Sequence, residues 1–136
     1  MSRDFVLVDA TVEDAAKIRD LVIQLAVYEK EEARRVKITT EELQDSMRDG
    51  LVRCTLAKLN DDIVGIALFH YAFSTWDGRT LYLEDLFVLP EARGKGIGKA
   101  LLMSLVQRAY DENLRRISWV ALDVIFITSF CVCVCV

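Results

Sequence analysis

Histidine, proline, basic clusters and long apolar runs are what this 136-residue chain has least of. Each shortage narrows the reading. His70 is the sole histidine and lies on an apolar stretch between Phe69 and Tyr71, so it reads as a packed or edge side chain rather than a catalytic one. Pro90 is the sole proline, and lacking an N–H it closes the strand that precedes it. The net charge is −4 and the pI about 5.0, which speaks against a nucleic-acid partner and weakly favours cationic ligands. The first 20 residues hold Asp4, Asp9, Glu13, Asp14 and Asp20 without an unbroken apolar run. No secretory signal is expected from them, and the cytoplasm is the expected location. Cys54 stands alone in an expected strand, where a thiol behaves as a small hydrophobe. Cys131, Cys133 and Cys135 form no disulfide framework, and with no histidine or second cysteine cluster beside them no metal is expected. The apolar stretch from Val124 onward has 13 residues, short of the roughly 18 that span a bilayer, so no membrane partner is expected either.

What is present is an ordinary globular mixture, 53% hydrophobic and 28% charged, at the length of one domain. Phe5 to Val8 reads as a strand. Thr11 with Glu13 and Asp14 opens a helix, and Ala15, Ile18, Leu21, Val22, Leu25 and Tyr28 recur at helical spacing to about Glu29. The charged run 29–35 is a solvated exit, and Thr40, Glu41 and Glu42 open a short helix ending at Gly50. Arg53 to Leu59 and Ile63 to Phe73 read as a hairpin turned by Asn60, Asp61 and Asp62. After a loop over 74–79 come a strand from Thr80 to Leu89, a helix from Gly98 to Asn113, and a strand from Ile117 to Leu122. The mixture is α/β (α+β), a sheet with helices packed on it.

Arg93-Gly94-Lys95-Gly96-Ile97-Gly98 lies between the last strand–proline pair and the helix. Alternate glycines leave the backbone open, so several N–H groups can converge on an anion at a helix start. The spacing is not the dinucleotide pattern, which needs glycine at position 99, nor the Walker pattern with its Gly-Lys-Ser/Thr. The three glycines alone fit a bare turn as well as a phosphate cradle.

The longer pattern does discriminate. Arg93-x-x-Gly96-x-Gly98, preceded by Leu86-Phe87-Val88 and Pro90 and followed by Lys99-Ala100-Leu101-Leu102, resembles the coenzyme A signature of the GNAT superfamily of N-acetyltransferases. Tyr82 to Val88 and Leu25 to Glu29 look like the diamine (spermidine/spermine) and thialysine acetyltransferase branch, a similarity covering residues 5 to about 123. The resemblance implies a GNAT fold, a mixed and mainly antiparallel sheet with helices on both faces, acting as a homodimer in the cytoplasm. It implies that acetyl-CoA lies on Leu86, Phe87 and Val88 and on the loop residues Arg93, Gly94, Lys95, Gly96, Ile97, Gly98 and Lys99. Tyr28, Glu29, Glu84 and Asp85 then fall on the side of a small amine substrate, and Trp76 walls its channel.

A primary amine with a reference pKa of about 10.4 costs roughly 4.6 kcal/mol to neutralise at pH 7, so a base is useful. Glu84 is the candidate, with burial beside Tyr82 and Leu86 expected to raise its pKa; a strand-edge salt bridge is the equal alternative. On a regular strand Asp85 faces away from Glu84 and attracts the substrate cation or holds a loop. Backbone donors near Leu86 aimed at the thioester oxygen would require a bulge in the strand.

The expected domain is 1–123, followed by a 124–136 tail unlike the branch. Relatives continue past Leu122-Asp123 with a Trp-Asn pair, a helix bearing the tyrosine that protonates the departing thiolate, and closing strands. Here the chain ends Cys131-Val132-Cys133-Val134-Cys135-Val136. A TG repeat read in frame gives that alternation, which suggests intron read-through after Asp123 and a missing C-terminal part. The tail is β-prone and uncharged, an aggregation hazard able to add itself as a substitute strand. The alternative reading of the whole chain is therefore a catalytically impaired isoform that binds coenzyme A or a full-length partner without turnover.

Overall fold

The computed structural model describes residues 4–122 and 127–133; Asp123, the start of the tail and Cys135 lie outside them. Strand β1 (Phe5–Asp9) is followed by a single 3-10 turn, Val12–Asp14, and helix α1 (Ala15–Tyr28). The Thr11 N–H donates to the Asp14 carboxylate at 2.9 Å, and the acidic first turn meets the positive end of the helix. Helix α2 (Thr40–Arg48) opens at Thr40 as expected, with Thr39 as its N-cap. Glu42 N–H donates to Thr39 Oγ1 at 3.1 Å while Thr39 N–H donates to Glu42 Oε2 at 2.8 Å, a reciprocal capping box. Gly50, at φ +73°, ends the segment.

Strands β2 (Arg53–Leu59) and β3 (Asp62–Ser74) form the expected hairpin, with Asn60 and Asp61 both at positive φ, the geometry that matches strand twist in a two-residue turn. The loop over 74–79 is shorter than its sequence suggests, because β4 (Gly78–Val88) already begins at Gly78. Ser74 Oγ accepts from the N–H groups of Trp76 and Asp77, both at 3.1 Å, and closes that tip. Helix α3 (Ile97–Asp111) returns the chain to β5 (Arg116–Leu122), and β6 (Ile127–Cys133) follows.

The six strands lie in the order β1-β2-β3-β4-β5-β6, all neighbours antiparallel except β4 and β5. Helix α3 covers one face, burying Leu101, Leu105 and Ala109 against Phe69, Leu81, Leu83 and Ile117. Helices α1 and α2 cover the other, burying Ile18, Leu21 and Leu43 against Leu56, Ile66, Leu68 and Phe87. Helices on both faces of a mixed sheet are the expected arrangement. Tyr28, placed by periodicity on the buried stripe of α1, is instead exposed at its C-terminal end. The tail supplies the substitute strand, pairing Leu122 with Ile127 through Arg116 with Cys133.

Strand β4 is irregular at its middle. Leu68 pairs with Asp85 but Phe69 pairs with Leu83, so Glu84 is an extra residue in β4, a β-bulge. It reverses the alternation of the strand: Leu81 and Leu83 face α3, whereas past the bulge Phe87 faces α1. Because Leu101 is fully buried against this sheet, Leu101→Ala should lower unfolding free energy by about 2–5 kcal/mol in urea titrations. A change below about 1 kcal/mol would contradict the packing described.

Candidate active site: a groove from the glycine loop to three carboxylates

The parallel ladder between β4 and β5 holds only from Leu81–Ile117 to Leu83–Trp119. A bulge bends its strand and raises the local twist, so beyond Glu84 the two strands part. Among the described residues, the β5-facing edge of β4 from Glu84 to Val88 has no strand partner. Two adjoining cavities occupy the split. One of about 480 Å³ is lined by Leu86, Phe87, Val88, Arg93, Gly94, Gly96, Ile97 and Gly98. The other, about 340 Å³, is lined by Glu29, Leu83, Glu84, Leu102, Trp119 and Val120. Leu25, Tyr28 and Leu86 line both, so they form one groove.

At its first end the glycine loop is open. Gly94 and Gly96 hold φ of +80° and +81°, where a Cβ would be strained, and no atom lies within 4 Å of where that Cβ would sit. Helix α3 begins at Gly96 with no side-chain cap, leaving first-turn N–H groups for an anion. This cradle fits a pyrophosphate. Arg93 is tied inward: its Nε donates to Val88 O at 3.0 Å, and its guanidinium lies 4.7 Å from the centroid of the Tyr28 ring. It fastens the end of β4 to the end of α1 by a hydrogen bond and a cation–π contact. Lys95 and Lys99 stand on the other side of the α3 start, lining a separate groove of about 450 Å³ with Phe5, Leu7 and Met103. Gly96 borders both spaces.

At the second end the carboxylates gather. The alternation expected of a regular strand fails at the bulge. Asp85 is in register with Leu68, which belongs to the α1 face, and the His70–Tyr82 pair next along that face brings Glu84 with it. Glu84 is half exposed, so the burial expected for it falls on Asp85. Burial, with smaller additions from the charges of Glu84 and Glu29, pushes the Asp85 carboxyl up to about 6. Glu84 has His70 beside it, Nε2 lying 3.6 Å from Oε2, and the two form the ion pair of its alternative reading only when the imidazole is protonated.

Trp76 is not brought to the groove. It sits 91% exposed at the β3–β4 tip, about 20 Å along the strand from Glu84 at 3.3 Å per residue. Leu25, Leu102 and Trp119 line the groove without having been anticipated from sequence. Periodicity marked the two leucines as core, and only the parallel register brings Trp119 opposite Leu83. A further cavity of about 270 Å³ at the other end of the sheet, beside the 2.7 Å Arg108–Asp9 pair, contains none of the anticipated residues. Among the described residues no cluster of three or more His, Cys, Asp or Glu could hold a metal, and Cys54, buried, has its thiol pushed up to about 12.

The acetyltransferase (GNAT) family profile matches residues 16–125. The chain belongs to the GNAT acetyltransferase family. It is 31% identical over 121 residues to a thialysine N-epsilon-acetyltransferase of Caenorhabditis elegans, a match covering 89% of this chain and 75% of that protein. With its Bos taurus counterpart the identity is 33% over 133 residues, covering 88% and 76%. A spermidine/spermine N(1)-acetyltransferase-like protein of Homo sapiens is 32% identical over 104 residues, 71% of this chain but 15% of that longer protein. The fold also matches a predicted acetyltransferase of Clostridium acetobutylicum solved with acetyl-CoA, at TM-score 0.73 and 20% identity, covering 86% of this chain and 80% of that one. This GNAT chain is thus an N-acetyltransferase by family, and its family uses acetyl-CoA. No helix among the described residues is long and apolar enough to cross a membrane.

Asp85 gives the site a measurable electrostatic cost. An aspartate raised from 3.8 to about 6 binds more protons folded than unfolded between those values, so its contribution to stability falls as pH rises through them and stays reduced at pH 7. Asp85→Asn should therefore be more stable than the parent at pH 7, by roughly 1–3 kcal/mol, with a flatter pH dependence between about 4 and 6. Urea titrations across that range would contradict the assignment if the variant were the less stable protein at pH 7.

Proposed function

We propose that this chain transfers the acetyl group of acetyl-CoA to a primary amine of a small polyamine or a thialysine-like amino acid. The observation that carries this reading is the continuity of the groove, from an open glycine cradle at one end to Glu29 and Glu84 at the other, with Asp85 behind them. When bound, acetyl-CoA supplies the acetyl group as a thioester. Gly94, Gly96, Ile97 and Gly98 present backbone N–H groups to its phosphates, and Lys95 and Lys99 add positive charge beside them. Leu86, Phe87 and Val88 hold its arm along the unpaired edge of β4, the role that edge groups play for any extended ligand.

The amine enters as a cation, and Tyr28, Glu29 and Asp85 favour that charge while Glu84 takes its proton. Glu84 reaches the groove because the bulge displaces it. The resemblance to thialysine and polyamine acetyltransferases supports this substrate class, and it extends the proposal to a cytoplasmic homodimer, tested by sedimentation of the purified chain.

Transfer of radiolabelled acetyl to a panel of diamines, polyamines, lysine and thialysine tests the reading. Acetylation of at least one of them is expected; coenzyme binding with no transfer to any amine would replace this reading with that of a binding isoform. Glu84→Gln should lower kcat by about 10²–10⁴-fold while leaving acetyl-CoA affinity unchanged in calorimetry. Gly96→Val, which forces a side chain into the open cradle at positive φ, should instead weaken acetyl-CoA at least about tenfold.

A further inference from the structure

We propose that His70 is a positioning residue for Glu84, taking up at Nε2 the proton that the substrate amine gives to that carboxylate and passing it out to solvent. This rests on the reading of Glu84 as the base. The geometry that carries it is on the α1 face of β3 and β4. His70 is cross-strand from Tyr82, and the two rings stack at 5.0 Å between centroids with 27° between planes. The stack sets the plane of the imidazole. His70 Nδ1 lies 3.3 Å from the Tyr71 carbonyl oxygen, which can only accept, so this contact places a hydrogen on Nδ1. Nε2 is then the nitrogen with a lone pair to offer, and it lies 3.6 Å from Glu84 Oε2.

Plain packing does not require this arrangement. A ring filling the space beside Tyr82 could be any aromatic, and the same strand carries Phe69, Tyr71 and Phe73. Among the described residues His70 is the one side chain able to become a cation within ion-pair distance of Glu84. The other titratable groups around Glu84 are Tyr82 and Asp85 on β4 and Glu29 at the end of α1, and none supplies a cation. His70 is about one-third exposed, which gives a proton arriving at Nε2 a route to water.

The step balances. The substrate ammonium loses an N–H proton to a Glu84 carboxylate oxygen, and that proton moves to His70 Nε2, converting imidazole to imidazolium and restoring the carboxylate. The imidazolium releases it to water. The amine, now carrying a lone pair, forms the C–N bond at the acyl carbon as the C–S bond breaks; the sulfur leaves with the electron pair of that bond and takes the second N–H proton of the nitrogen, so the products are the neutral amide and the thiol.

The test is kcat against pH, with the best amine of the panel, for the parent, His70→Phe, Glu84→Gln and the double variant. His70→Phe keeps a ring on Tyr82 and removes both nitrogens. It should lower kcat about tenfold at pH 7 and leave the KM for acetyl-CoA unchanged. It should also move the acidic limb of the kcat profile to lower pH, because protonation of the imidazole no longer blocks the relay. In the Glu84→Gln background it should cost nothing further. His70→Asn, which keeps a donor toward the Tyr71 carbonyl and lacks Nε2, should reproduce both changes if the phenylalanine variant folds poorly. A parental kcat and limb in either His70 variant, with Glu84→Gln still impaired, would overturn the role of His70 alone. A parental kcat in Glu84→Gln would overturn the base itself.

Discussion

An extra residue in one strand organises this molecule. Where Glu84 is inserted opposite Leu68 and Phe69, β4 changes which side chains it sends to each face and turns away from β5 three residue pairs into their parallel ladder. A regular strand would carry the ladder on to Leu86 opposite Leu122 and close the split between the strands, and it would direct Asp85 to the α3 face, where Leu81 and Leu83 are packed. The bulge thus does two things at once. It opens a backbone edge that no described strand pairs, and it gathers two consecutive carboxylates on one face.

The rest of the fold holds that irregularity in place. Upstream of it β4 is locked between β3 and β5, and downstream Leu89 N–H donates to Val64 O at 2.8 Å. Arg93 then ties the strand end to Tyr28 and, at 5.6 Å, to the Phe87 ring. Helix α3 starts directly after the loop, so the same hydrophobic stripe that anchors it to the sheet through Ile97, Leu101 and Leu105 also aims its uncapped N-terminus at the groove. Burying Asp85 near two further carboxylates works against stability, a cost that binding a cation would relieve.

Much of this was legible in the sequence. The glycine spacing, the helical stripes of α1 and α3 and the Asn60–Asp61 turn are local patterns, and local patterns report local structure. The loop lies at the groove because a strand–turn–helix has few ways to fold. What sequence could not show depends on register. Nothing in Leu83-Glu84-Asp85-Leu86 marks Glu84 as the inserted residue, and alternation therefore put Asp85 on the wrong face and assigned its burial to Glu84. Trp119 entered the groove through a parallel pairing some thirty-five residues distant, and His70 became interesting only once Tyr82 and Glu84 were beside it. Trp76, by contrast, was placed by resemblance, and the hairpin holds it at the tip, away from the groove.

On the proposed function, the β4 edge left without a partner among the described residues and the α3 start together form the coenzyme site. Amide hydrogen–deuterium exchange on the purified chain, with and without saturating acetyl-CoA, reads both segments in one experiment. Slowed exchange is expected over Leu86 to Val88 and Gly94 to Lys99, with β1 and β2 unchanged. Binding that leaves both of those segments exchanging as in the free protein would contradict it.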